Sequence, residues 1–444
     1  MSKPWVGAPT PAGFTVRGTV DGAAAVRLAV STASDLSSPV YFGPRTLVAN
    51  VATVEATGLS PATTYWYAFE LDGVLDTAAK GRAHTTPLPG VATSFTAAQW
   101  GCAGSRPSVD GGFPTSVNGK TGLSSSPTLT TIADSDPAFM VINGDRHYRD
   151  PTSTDPAVIR ADYDDLMSIS QQAYLARMVP SLYAWDDHDF GGNDSDKTAT
   201  ARAASAQVYR ERTPYVYLPA SDGVGVWHSM VYGRVRVIVT DQRSQRDPAT
   251  LTDDASKRLL GAEQEKWLYG EFLAAKAQNQ IIWWACQLPW AGAALSGQDD
   301  WRAYNTERER IARFITDHHL SSRMFSVVGD THGMAIDDGT NNAWGRFPVF
   351  TASALDGSVG ATGVRGGPFS QGAATTNAGQ WGKVQIDDTG GATIGVTFRG
   401  MTQAAETLTY SFTATAVEAN TAKGALGSMS IYNTGGRSVK LHTA

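Results

Sequence analysis

Trp185-Asp186-Asp187-His188-Asp189 lies between Gly144-Asp145-Arg146-His147-Tyr148 and Gly329-Asp330-Thr331-His332. Carboxylates, imidazoles and a phenol thus gather in three short segments. Each segment follows an apolar run that reads as a buried strand, at 138–142, 182–184 and 324–328. In an open α/β sheet the carboxyl ends of strands share one edge, where ligands bind. Acids and histidines collected there repel one another, or stay desolvated, unless a cation holds them. The pattern therefore points to a multinuclear metal site.

Each piece has its own chemistry. Gly144 allows a sharp turn and frees Asp145 to bridge two metals. Tyr148, three residues on, reaches the same side if the turn is helical; a phenolate is a hard anionic ligand suited to Fe(III). The plain alternative for Tyr148 is an aromatic capping the sheet. Of Asp186 and Asp187, one can ligate while the other orients His188, since carboxylates this close share a proton unless a cation is near. A solvated acidic turn must also account for Trp185, His188 and Gly191-Gly192-Asn193-Asp194. Asp330 and His332, two apart, put two ligands on one face of a loop. Cys102, in Trp100-Gly101-Cys102-Ala103-Gly104-Ser105-Arg106, is either a thiolate ligand for iron or zinc or a small buried apolar residue.

These loops need a scaffold, and the bulk numbers bound it. At 444 residues the chain exceeds one typical core, so two or more domains are expected. Hydrophobic content of 42% and charged content of 18% are ordinary for a globular protein. A net charge of −6 gives no basic footprint for nucleic acid. The two cysteines, Cys102 and Cys286, cannot make a disulfide framework. No apolar run approaches the ~20 residues that cross a bilayer. The start, Met1-Ser2-Lys3-Pro4-Trp5, shows no basic stretch leading into an apolar one, so no secretory signal is expected in it.

Residues 1–88 read as all-β, with alternating runs at 13–20, 25–30 and 63–71 between turn residues. Residues 89–94 read as a linker. From about 95 strands alternate with helical stretches: helices are predicted at 127–134, 156–177, 261–277 and 306–318, strands at 235–240 and 281–286. This alternation argues α/β layers. Beyond about 380 the chain is β again, and 401–444 reads as a β-rich extension.

Gly58-Leu59-Ser60-Pro61-Ala62-Thr63-Thr64-Tyr65 resembles the Gly-Leu-x-Pro-x-Thr-x-Tyr signature of fibronectin type III modules, in which the Leu plugs the end of the sandwich and the Tyr packs into it. Over roughly 95–400 the order of Cys102, Asp145 with Tyr148, Asp186-Asp187-His188, Gln287 and Asp330-x-His332 resembles the calcineurin-like metallophosphoesterases, and more closely their alkaline phosphatase D (PhoD-like) branch. Asp241-Gln242-Arg243-Ser244-Gln245-Arg246 and Leu260-Gly261-Ala262-Glu263-Gln264-Glu265-Lys266-Trp267-Leu268 extend the likeness. The resemblance implies an α/β layered β-sandwich flanked by helices, behind an N-terminal fibronectin type III or Ig-like domain. It implies Fe(III) held by Cys102, Asp145, Tyr148 and His332. It further implies one or two Ca(II), with Asp145 bridging and Asp187, Asn193 and Asp330 as candidates. Gln287 stands where related enzymes carry a metal-binding His; its oxygen suits calcium better than zinc. A secreted or periplasmic protein is implied if a signal was removed. Departures are His147 and Arg146 after Gly-Asp, Asp189 for the commoner Glu, and a thin Gly191-Gly192-Asn193 loop.

The expected reaction is hydrolysis of a small phosphate mono- or diester by metal-activated water or oxo attack. His188 is expected to bind the phosphoryl group or protonate the leaving oxygen, and Arg243 or Arg146 to bind phosphate oxygens bidentately. The rivals are a phospholipase D-type phosphodiesterase and a catalytically dead binding or adhesion protein on the same scaffold.

Overall fold

The structure, a computed structural model, describes residues 2–45, 47–104, 116–117, 120–215, 217–356, 364–374, 379–403 and 405–418. Ser105 and Arg106 of the Cys102 segment, and 419–444 of the expected C-terminal extension, lie outside the described residues.

Two-sided burial decides the layers. In the strand Ile281–Cys286, Ile281, Trp283 and Ala285 enter one core while Ile282, Trp284 and Cys286 enter another. A strand apolar on both faces has to be covered on both. It lies inside a seven-stranded sheet ordered His228–Tyr232, Val235–Val239, Ile281–Cys286, Met324–Val328, Val349–Ala352, Met334–Asp337, Ala373–Ala374. Helices Ala262–Ala277 and Asn305–Asp317 cover one face through Leu268, Phe272, Ile311 and Ile315. The other face meets a nine-stranded sheet across a core that includes Trp100, Met140, Trp283, Phe325, Phe350 and Phe398.

The nine-stranded sheet runs Glu406–Thr415, Thr393–Met401, Trp381–Asp387, Phe95–Trp100, Met140–Asn143, Ser181–Ala184, Ser2–Thr10, Gly13–Val20, Val51–Thr57. Its middle strands are parallel, as are four of the second sheet. The two parallel sets end side by side: Gln99 Nε2 donates to the Val328 carbonyl at 2.9 Å and Asn143 Nδ2 to that of Val327 at 3.3 Å. All the candidate loops therefore leave from one edge. The whole is a mixed α/β fold with several sheets and few helices.

The N-terminal strands divide between this sheet and a smaller one formed by Val40–Arg45, Val26–Ser31, Thr64–Leu71, Val74–Leu75 and Gly81–His84. Val16, Leu28, Val54 and Tyr67 fill the space between them. Leu59 packs against that cluster, and the Tyr65 hydroxyl accepts from the Ser60 amide at 3.0 Å. Gly7 pairs with Ser181, so Ser2–Thr10 continues the nine-stranded sheet.

Local expectations met two corrections. The helix expected at 156–177 is two, Pro156–Leu166 and Ser170–Met178. Between them Ser168 Oγ bonds back to the Asp165 carbonyl at 2.6 Å, and Ile169 turns extended to bury itself against Leu123 and Leu166. The helix Arg202–Arg212 was not expected; its polar sequence hides an apolar side of Val208 and Tyr209.

Candidate metal centre

The loops turn by unusual backbone conformations. Cys102, Asp145, Asp330 and His332 have φ of 54°, 50°, 50° and 52°. Non-glycine residues in this region cost on the order of 1–3 kcal/mol each and collect where a site demands them. Gly144 has φ +78°, and a Cβ there would lie 2.3 Å from Asp186 Cβ. Two acid-bearing loops can touch at this point only because the residue has no side chain.

The turns bring scattered residues together. Cys102, Asp330 and His332 each place one donor atom within 4.8 Å of the others. Asp145, Asp187 and His188 do the same, as do Asp145, Asp186 and Asp330. Asp145 and Asp330 each belong to two groups, the geometry a bridging carboxylate needs. Tyr148 Oη lies 3.3 Å from His332 Nε2. Gln287 is fully buried nearby in chain terms, at the end of Ile281–Cys286, and neither side-chain atom has a hydrogen bond. Asn193 is exposed; its neighbour Asp194 forms a further group with Asp187 and Asp299, and the Asp194 amide donates to Asp187 Oδ2 at 2.6 Å.

Charge has been gathered out of water. Burial, then the charges of Asp187, Asp186 and Asp189, pushes Asp145 well above the carboxylate range. Burial raises Asp186 likewise, and Asp330 to about 7. Burial and neighbouring acids lift the Cys102 thiol and the Tyr148 phenol. Asp187 differs: burial would raise it, but Arg243 and His188 hold it at about 2. Asp145 Oδ2, Asp186 Oδ2 and Asp187 Oδ1 have no hydrogen bond. Buried acceptors without donors are costly, and this donor set of carboxylate, phenol, thiol, imidazole and amide oxygen fits hard and borderline cations.

His188 gives Nδ1 to Asp150 Oδ1, and its ring lies 4.0 Å from that of Tyr148. Burial lowers its pKa, but the Asp150 bond and the Asp187 charge outweigh this and bring it to about 9. Asp189 accepts from the amides of Asp186 at 3.1 Å and His147 at 3.2 Å, stitching two loops together.

The two arginines expected to bind phosphate are placed otherwise. Arg243 is buried and turned toward acids of the protein. Nε donates to Asp186 Oδ1, Nη1 to Asp299 Oδ1 at 2.9 Å and the Ser195 carbonyl at 3.3 Å, Nη2 to Asp299 Oδ2 at 2.7 Å, and Nη2 lies 3.5 Å from Asp187 Oδ1. Four of the five guanidinium donors are thus committed inside the protein and the fifth faces Asp187, so Arg243 orients the Asp186-Asp187 pair. Arg146 is buried with its Cζ 3.8 Å from the Trp5 ring centroid, beneath the loop rather than at its mouth. Asp299, which braces Arg243 and Arg246, was missed by sequence reasoning; Asp299-Asp300-Trp301 reverses the order of Trp185-Asp186-Asp187 and was the available signal. Asp150 and Asp194 carried no signal beyond being acidic. The two outlying motifs form a brace: Gln264 accepts from the Asp241 amide and donates to the Asp241 carbonyl, each at 2.7 Å, and Trp185 Nε1 donates to Asp241 Oδ1 at 2.9 Å.

The sequence pattern of the PhoD-like phosphatases matches residues 126–403, well over half of the chain. The chain belongs to the PhoD-like phosphatase family. The matched span holds every candidate of this PhoD-like protein from Asp145 to His332, while Cys102 precedes it. Alkaline phosphatase D of Bacillus subtilis (strain 168) is 26% identical over 181 residues, 34% of this chain and 31% of that protein, so the alignment spans about a third of the relative. A solved structure of PhoD superposes with a TM-score of 0.71 at 18% identity, covering 93% of this chain and 90% of that one. The purple acid phosphatase PPD1 from yellow lupin (Lupinus luteus) seeds gives 0.59 at 14% identity, covering 93% and 74%. The PhoD-like chain shares its fold with both.

Proposed function

We propose that this PhoD-like phosphatase hydrolyses small phosphate esters at the cluster centred on Asp145. The observation that carries the reading is the convergence of buried acids from three strand ends and a thiol from a fourth, with carboxylate oxygens that have no hydrogen bond. Cys102, Asp145, Tyr148 and His332 would hold Fe(III); Asp145 with Asp186, Asp187, Gln287 and Asp330 would hold Ca(II). When bound, the cations neutralise phosphoryl oxygens and lower the pKa of an attacking water. Asn193 is retained only as an outer candidate beside Asp194.

The chain's own groups do the rest. Asp150 fixes one nitrogen of His188, which leaves the other for the leaving oxygen. Arg243, held by Asp299, keeps Asp186 and Asp187 aimed at the cluster. Asp189 locks the Gly144 and Asp186 turns against each other. Residues 1–88 are read as a fibronectin type III-like module, supported by the Leu59 plug and the Tyr65 hydroxyl on Ser60. Hydrolysis of a chromogenic phosphomonoester and a diester, before and after chelation, tests the function. Turnover abolished by chelation and restored by metal is expected; full activity in chelator would overturn it.

A further inference from the structure

The cluster has charge to bind cations, yet Arg243 is tied to Asp186 and Asp299 and Arg146 is buried against Trp5, away from an incoming phosphate. Three arginines pair with its acids among the described residues: Arg243 and Arg246 are 0% exposed, whereas Arg365 is 33% exposed. Arg365 Nη2 donates to the Asp330 carboxylate and to the Asp330 carbonyl. No hydrogen bond from Nε or Nη1 occurs among the described residues.

Its backbone is fixed on both sides. A Cβ on Gly333 would lie 2.4 Å from Val364 Cγ2, so Val364 sits directly on the turn that follows His332. A Cβ on Gly366, where φ is +90°, would lie 3.1 Å from Pro289 Cβ, so Gly366 sits on the turn that follows Gln287. Arg365 is thereby held between two candidate ligand-bearing strand ends. The charges of Asp330, Asp300 and Asp299 keep its guanidinium a cation.

We propose that Arg365 is the substrate-phosphate residue of this site: one amino group stays on Asp330, and its remaining N–H groups receive the oxygens of a phosphate dianion. The proposal deepens the phosphatase reading and rests on it. A planar fork matches phosphate oxygens, and the second negative charge of a monoester is what it distinguishes. Arg365 thus biases the centre toward phosphomonoesters over diesters, which carry one charge.

The test compares Arg365→Met and Arg365→Lys with the wild-type protein, all metal-loaded. Steady-state kinetics on a monoester and a diester are measured, with inorganic phosphate binding by calorimetry and metal content by elemental analysis. Arg365→Met is expected to raise the monoester KM and the phosphate Kd by about tenfold to a hundredfold, the worth of charged hydrogen bonds. The diester KM should move far less, metal content should hold, and Arg365→Lys should recover part of the loss. An unchanged phosphate Kd, an equal loss on both esters, or loss of metal in step with activity would overturn the proposal. A wild-type protein that binds phosphate through Arg365 but cleaves neither ester would instead sink the phosphatase reading alone.

Discussion

His188 spends one ring nitrogen on Asp150 and lies against Tyr148, an arrangement that suits a proton donor to the leaving oxygen. Such donors are worth about 10²–10⁴-fold, and most where the leaving group is a poor one. His188→Asn should therefore cut kcat strongly on an alkyl phosphate and only slightly on 4-nitrophenyl phosphate. Equal losses on both would remove the acid role. Arg243 is different in kind, because it holds Asp186 and Asp299 inside the protein. Arg243→Met strips a buried pair of its partner, which costs about 3–5 kcal/mol. Urea midpoints should fall by a matching amount, together with metal affinity; Arg146→Met should leave the KM for ester unchanged. At this scale the residues that converge were legible: Asp145 and Asp330 follow a Gly and Asp186 a Trp after apolar runs, with Asp187 and His332 close behind. The roles of the arginines were not legible, because the partners of Arg243 come from Asp186, 57 residues away, and Asp299, 56 away. Sequence gives a guanidinium its charge but not its neighbours.

Glu307, in the first turn of the helix Asn305–Asp317, is buried, and burial lifts its pKa from an ordinary 4.5 to about 8 although the Leu259 amide donates to it. The folded state thus holds a proton that the unfolded chain releases. Stability from this group is complete below about pH 4.5 and declines as pH rises toward 8. Glu307→Gln should flatten that decline, gaining stability on the wild type at pH 8 but little at pH 4.5; parallel urea midpoints at both values would contradict it. Helices and strands with a strong apolar rhythm were legible, the helix Pro127–Asp134 and the strand Ile281–Cys286 among them. The break at Ser168 was not, since a hydroxyl that bonds back to its own helix leaves no mark in periodicity. Nor was the helix Arg202–Arg212, whose buried side mixes Ser205 and Arg212 with alanines, Val208 and Tyr209 and so carries little apolar rhythm.

The molecule as a whole joins its N-terminal strands to the centre more closely than a linker at 89–94 suggests. Trp5 lies under Arg146, donates Nε1 to Ser181 Oγ at 2.7 Å and packs on Tyr183, while Gly7 pairs with Ser181. A buried cation against an indole face, one residue after Asp145, ties the two regions mechanically. Trp5→Ala should cost about 3–5 kcal/mol, in a single cooperative transition that also releases metal. Separate melting of an N-terminal unit, with metal retained, would count against this coupling. Contacts between residues far apart in the chain make this junction, and no composition or repeat foretells them. Everything nonetheless depends on the cations that the Asp145, Asp186 and Asp187 oxygens without a hydrogen bond call for. Elemental analysis of purified wild-type protein beside Asp145→Asn tests that most directly. Tightly held metal, iron among it, in the wild type and its loss in the variant is the expected result. Equal metal content in the two proteins, or a wild type free of metal that hydrolyses phosphate esters at full rate, would contradict it.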